Sequence, residues 1–330
     1  MELTDSSKRI GLIKDTVYCF ISPEAEVLSV ESVPVHAGSR AVELMRNKVW
    51  LQSRAGMPEG TAVKEEISLI TKQATFVERS ALSRLYSQGA KVPFSLSGQP
   101  LYEGRSLLCI EDVDYRTDYS RLDLPALQKK EIEALAYIHY VNLGCRCDLP
   151  WLPQVSEAYI AEILNTNWRP SWDSARQNPA FAEAFGLQTL ENIEEIAGRI
   201  AEDMIPVIYA ADTFTMVHND LNPGNVLVHN NDKIRFIDWE EARYGSLFMD
   251  IPMRCRTLEQ AEEYRRCLAV LGCDIPQQEY AGLFRAASRY LGLRFMCWNL
   301  GVWQANEQAR ADLVNYMRMV TDPLYSGQEC

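Results

Sequence analysis

The spacing of apolar residues changes once along this chain, and that change limits the folds open to it. Up to about Val113, polar and apolar residues alternate in short runs broken by turn residues, as antiparallel strands require. Strands are expected over Glu26 to Val35, Ala41 to Met45, Val49 to Arg54, Glu66 to Gln73 and Ser106 to Val113, with a turn at Met57-Pro58-Glu59-Gly60. One helix interrupts them, from Thr75 to Gln88, where Phe76, Ala81, Leu82 and Leu85 recur at helical spacing and Gly89 ends the run. Beyond Val113 the spacing becomes helical. Leu127 to Leu143, Thr189 to Tyr209 and Leu258 to Leu271 are predicted helices. A β-rich front and a mainly helical back predict an α+β fold of two lobes, residues 1–113 and 114–330, and 330 residues are too many for one ordinary core.

The composition excludes several partners. A formal charge of −12 lacks the basic surface that sequence-independent nucleic-acid binding needs, and fits a cationic ligand better. No run of about 18 uncharged apolar residues is present, and Met1 to Ile10 mixes acids and bases where a signal peptide has an apolar stretch. The expectation is a cytoplasmic protein with no membrane partner, a monomer or weak dimer acting on small molecules. Nine cysteines are scattered, and Cys145 and Cys147 have no second pair to complete a metal cage, so reduced thiols are expected.

The helical half has one exception. Met216 to Glu240 reads as loop, strand, turn, strand: Val226-Leu227-Val228-His229, then Asn230-Asn231-Asp232, then Lys233 to Ile237. His218-Asn219-Asp220-Leu221-Asn222-Pro223-Gly224-Asn225 precedes this hairpin, and Asp238-Trp239-Glu240 follows it. The order H-x-D-x-x-x-x-N, then an apolar strand ending in Asp, is that of kinase catalytic and metal-binding loops. Phosphoryl transfer needs a carboxylate beside the attacking hydroxyl and oxygen ligands that hold magnesium against the nucleotide phosphates. The spacing lets Asp220 face the acceptor while Asn225 turns back toward the metal and the hairpin returns Asp238 to it. An isolated H-x-D or an Asn-Pro-Gly turn carries no such meaning; the conjunction does.

On these residues the chain resembles the aminoglycoside phosphotransferase and choline kinase group of the protein-kinase-like fold, from about Glu66 to Met253 and most sharply from Val217 to Asp250. The resemblance implies a two-lobed kinase-like fold and an O-phosphotransferase using Mg2+ and ATP or GTP, with Asp220 as base and Asn225 and Asp238 as metal ligands. It also implies that Asp250, closing the G-x-x-x-x-D pattern from Gly245, and His218 are structural supports. Position 219 is Asn where protein kinases regulated by loop phosphorylation have Arg, and little chain separates Asp238 from Asp250 to form an activation segment. Both departures favour a small acceptor over a protein one.

On the nucleotide side, Lys72 ends a strand and Glu78 opens the next helix, matching the lysine and glutamate that hold the phosphates. An exposed strand lysine and a helix-dipole acid are the plain alternatives, and Lys64 and Arg54 compete with Lys72. Gly38 and Ser39, within Ala37-Gly38-Ser39-Arg40, are the candidates for the phosphate-covering loop, although a full G-x-G-x-x-G is absent. Backbone groups from Glu111 to Val113 would meet the base.

The resemblance implies that the segment ahead of the catalytic loop helps wall the acceptor site, and there, between Asp148 and Asp212, acids outnumber bases, with Arg169, Arg176 and Arg199 the only cations. Such a wall would concentrate a polycation; a solvated helical face is the plain alternative. Trp168 and Trp172 beside those acids, and Glu240 and Glu241 after the metal Asp, are acceptor-binding candidates, with Pro170 predicting a loop between the tryptophans. Trp298 and Trp303 read as core. The expected acceptor is an aminoglycoside or other basic antibiotic, so that phosphorylation confers resistance. Choline, ethanolamine or an amino sugar is the metabolic alternative, and a non-catalytic, spore-coat-type kinase-like protein is the third.

Overall fold

The computed structural model describes residues 2–35, 42–53 and 63–326. The expected turn Met57 to Gly60, Arg54, and the expected phosphate loop with Gly38 and Ser39 lie outside the described residues. The chain divides into two compact units, one made of residues 1–134 and 223–242, the other of residues 135–222 and 243–330. The expected lobe boundary after Val113 falls within the first of these.

The first unit opens with a helix that the sequence reading did not include, α1 (Glu2–Phe20). It is followed by β1 (Ala25–Pro34), β2 (Val42–Ser53), β3 (Val63–Ala74), α2 (Phe76–Ser87), β4 (Ser95–Pro100) and β5 (Ser106–Glu111). The five strands form one antiparallel sheet in the order β1-β2-β3-β5-β4. Two expected strands, Ala41 to Met45 and Val49 to Arg54, are one, because Arg46, Asn47 and Lys48 between them pair with Ile70, Leu69 and Ser68 and nothing there turns the chain. Strand β4 was missed; its Gly98 and Pro100 dilute the strand signal.

Residues two apart in a strand share a face, and directly paired residues on neighbouring strands share it too. Val49, Leu51, Leu69, Leu107 and Cys109 therefore form one apolar face, and Leu12, Ile13 and Val17 of α1 bury themselves against it. Each such side chain contributes about 1.5–3 kcal/mol by leaving water. Helix α2 begins where Thr75 accepts a hydrogen bond from the Glu78 backbone N–H at 3.2 Å. The unit is completed by the start of α3 (Leu124–Val141) and by the hairpin that follows residue 222.

The second unit is mainly helical: α4 (Glu157–Ile163), α5 (Arg169–Arg176), α6 (Pro179–Phe185), α7 (Leu187–Asp203) and α8 (Ile205–Tyr209). The expected single helix from Thr189 to Tyr209 is two, because Pro206 cannot continue the hydrogen-bond ladder and instead opens α8. Next come β6 (Phe214–Val217), then, in the first unit, β7 (Val226–His229) and β8 (Lys233–Phe236), and, back in the second, β9 (Arg243–Ser246). Strands β6 and β9 pair with each other. Helices α9 (Ile251–Arg254), α10 (Leu258–Leu271), α11 (Gln277–Val302) and α12 (Glu307–Thr321) follow. A side chain at Gly292 of α11 would meet the Tyr316 carbonyl of α12 at 2.7 Å, so the missing side chain is what lets these helices approach. No helix among the described residues is long and apolar enough to cross a membrane.

Ile13 is fully buried in the α1 interface. Ile13→Ala is expected to lower the unfolding free energy by about 2–4 kcal/mol in urea denaturation. A loss under about 0.5 kcal/mol, the range of surface substitutions, would mean that α1 does not support the sheet.

Candidate functional site

In the first unit, β3 and α2 bring Lys72 and Glu78 together as expected: Nζ lies 2.6 Å from Glu78 Oε1. The same ammonium lies 2.8 Å from Asp238 Oδ1. Burial pulls the lysine down, but the charges of Glu78 and Asp238 outweigh it and hold the ammonium above the usual lysine range. Burial pushes the Glu78 carboxyl up to about 7, against the pull of Lys72.

The β7–β8 hairpin turns at Asn230 and Asn231, both with positive φ, 50° and 66°, conformations that Asn tolerates. At its open end the Ile237 N–H donates to the Asn225 carbonyl at 3.0 Å, so Asn225 and Asp238 occupy the same end. Asp238 itself is left-handed, φ 63° and ψ 58°, and its side chain is 44% exposed. An asparagine and an accessible carboxylate at one hairpin end are oxygen-bearing side chains of the kind magnesium accepts.

Glu240 is bound to Arg105 at 3.2 Å, and Glu241 is half-buried in the same turn. Glu111 pairs with Leu69 in register, so its side chain lies on the face that α1 covers, 3.6 Å from Arg235. The Val113 carbonyl lies 3.0 Å from His229 Nδ1, which places the proton on that nitrogen.

In the second unit, β6 leads into His218, Asn219 and Asp220. The fully buried Asp250 carboxylate accepts from the His218 and Asn219 backbone N–H groups, each at 2.7 Å. His139 Nε2 lies 3.1 Å from the same carboxylate and its Nδ1 2.6 Å from the Tyr264 hydroxyl, so Nε2 carries the proton and Tyr264 donates to Nδ1. His218 Nδ1 accepts from the Asp220 backbone N–H at 3.3 Å, and Asp220 is half-buried. Asn219 is left-handed, φ 66°; its amide donates to the Tyr159 hydroxyl at 2.9 Å and accepts from Arg294 at 2.7 Å. Gly245 is required for another reason: a Cβ there would sit 2.6 Å from Val155 Cγ2.

The acceptor candidates Trp168 and Trp172 do not line a surface. A π-helical turn, Leu164–Trp168, runs into α5, where Pro170 sits in the first turn and needs no N–H partner, so the expected loop is helix. The two indoles stack at 5.5 Å in the core, Trp172 fully buried with its Nε1 donating to Glu194 at 2.6 Å. Arg169 and Arg176 also bind Glu194, at 2.5 and 3.4 Å. Burial raises that carboxyl, but the hydrogen bonds from Arg169 and Trp172 and the two charges hold it below the usual range. Trp303 is buried against Phe181 and Phe185, whereas Trp298 is 62% exposed and not core. The partners His139, Tyr159 and Arg294 escaped the sequence reading, since nothing local marks contacts that span 60 to 111 residues.

Residues 78–282 match the model of the phosphotransferase enzyme family, APH. The chain belongs to this family. No curated protein matches the sequence. Among solved structures, a spectinomycin phosphotransferase in complex with ADP and spectinomycin superposes with a TM-score of 0.56 at 14% identity, over 96% of this chain and 94% of that one. An aminoglycoside phosphotransferase from Alicyclobacillus acidocaldarius gives 0.58 at 14% identity, over 92% of each chain. A microcompartment-associated aminopropanol kinase gives 0.52 at 11%, over 94% and 95%. The two-lobed α+β fold is thus that of the family's kinases.

Two outcomes follow from these contacts. Lys72→Met leaves Glu78 buried without its cation and is expected to cost about 3 kcal/mol, most of it recovered in Lys72→Met/Glu78→Gln; equal losses in both variants in urea denaturation would contradict a coupled pair. In Asp250→Ala the His218 and Asn219 amides lose their acceptor, and their hydrogen exchange should accelerate well beyond that of neighbouring β6 amides.

Proposed function

We propose that this phosphotransferase moves the terminal phosphoryl group of ATP or GTP to a hydroxyl of a small molecule. The bond formed joins the acceptor oxygen to the γ-phosphorus; the bond broken joins that phosphorus to the β–γ bridging oxygen, which leaves with the nucleoside diphosphate. Asp220 orients the hydroxyl and receives its proton. The base acts mainly by positioning, since a loose transition state asks for little early proton transfer. Lys72, held by Glu78, neutralises phosphate charge. Asn225 and Asp238 would hold magnesium, which when bound neutralises charge on the phosphate oxygens.

The observation that carries this reading is the Lys72 ammonium set between a buried and an exposed carboxylate, 2.6 and 2.8 Å away. A scaffold gains nothing from so costly an arrangement. It speaks against a kinase-like protein without turnover.

The acceptor is read as a basic one, an aminoglycoside or related antibiotic first, with resistance as the role. The net charge of −12 supports this, as do spectinomycin and ADP in the similar structure. A smaller amino alcohol or amino sugar, as in metabolism, is the second reading. It is favoured by Glu194, whose charge is taken up by Arg169 and Arg176, and by the burial of Trp168 and Trp172, both of which weaken the case for a polycation wall.

Nucleotide consumption should be measured against basic antibiotics, amino sugars and amino alcohols, with ATP and GTP in parallel. Asp220→Ala is expected to lower the rate with the best acceptor by about 100-fold or more, with nucleotide KM little changed. An unchanged rate would sink the assignment of the base, and turnover of neutral or acidic acceptors alone would sink the basic acceptor.

A further inference from the structure

The sheet face that carries Lys72 holds a second charged cluster. Ile70 and Ser68 share that face with Lys72, being two and four residues back along β3. Arg46 pairs with Ile70 on one side and Ile110 pairs with it on the other, and Asp112 follows Ile110 by two. Arg46 Nε and Nη2 donate to the two Asp112 oxygens at 2.7 and 3.0 Å, and Nη2 also reaches Asp114 at 3.3 Å. Asp112 takes a further hydrogen bond from Ser68 at 2.5 Å.

This clamp fixes one edge of the guanidinium. The Asp112 side chain is almost wholly buried, whereas that of Arg46 is 38% exposed. A salt bridge whose carboxylate is buried and whose arginine keeps part of its side chain in solvent does more than staple two strands. It orients a flat cation.

The place of this cation relative to Lys72 gives it a use. Strand β3 ends at Ala74, two residues past Lys72, so the Lys72 face extends in one direction, toward Ile70 and Ser68. Arg46 lies about 7 Å along that direction and one strand, about 5 Å, to the side. On the nucleotide reading above, a donor with its phosphates at Lys72 would have its base in that direction, toward the Glu111 to Val113 backbone.

We propose that Arg46, held flat by Asp112, stacks on the purine of the phosphate donor. The proposal rests on the nucleotide reading above. Guanidinium planes stack on aromatic faces, and every purine has such a face, so Arg46 should strengthen adenine and guanine nucleotides alike and contribute nothing to a phosphate chain without a base. ATP and GTP should both serve.

Displacement of fluorescent ribose-labelled ADP tests this, using ADP, GDP and inorganic tripolyphosphate as competitors of the full chain. Arg46→Ala should weaken ADP and GDP by about tenfold and tripolyphosphate less than about twofold. Arg46→Lys keeps a cation for Asp112, and hence the strand contact, but lacks the plane; it should weaken the two diphosphonucleosides nearly as much as Arg46→Ala. Unchanged ADP binding in either variant, or equal weakening of tripolyphosphate, overturns the stacking role. A wild-type chain that binds none of the three overturns the nucleotide reading itself.

Discussion

The two-residue repeat of β3 governs the first unit. Leu69 faces α1 and Lys72 faces the other way because one strand cannot send them to the same side. A slip of one residue would turn the Lys72 ammonium toward the face that Leu12, Ile13 and Val17 cover and put Thr71 or Gln73 where Glu78 and Asp238 now meet a cation. The apolar α1 face therefore does chemical service at a distance: by making the wrong register expensive, it fixes the lysine. Glu78 can then be buried, since its partner arrives without freedom to be elsewhere.

The second unit solves a related problem with a carboxylate in place of an apolar face. A loop between β6 and the hairpin would have backbone N–H groups in a buried place, where unpaired donors are costly. Asp250 takes two of them, His139 supplies a third hydrogen bond to it, and Tyr264 fixes the tautomer of His139. A negative charge so deep is sustained by three donors converging on it.

What could be read from the sequence follows the range of the interactions involved. The helix after β3, the hairpin turn at Asn230 and Asn231, and the Lys72–Glu78 pair rest on contacts within a few residues or on one motif, and they were legible. Helix α1 was also readable, since Leu12, Ile13, Thr16 and Val17 recur at helical spacing, but charged residues around them masked the period. Arg46 with Asp112, His139 with Asp250 and Arg294 with Asn219 join residues 66, 111 and 75 positions apart. No local pattern announces them. The tryptophans misled because composition records that an aromatic lies near acids, and cannot record that Glu194 receives the indole N–H from within the core.

Asn219 bears on control of the enzyme. A loop that depends on an added phosphate for its order needs an unsatisfied cation waiting for it. Here the left-handed Asn219 is engaged through its backbone by Asp250 and through its amide by Tyr159 and Arg294. Position 219 therefore holds no cation waiting for a phosphate: its side chain and backbone are engaged as the chain folds.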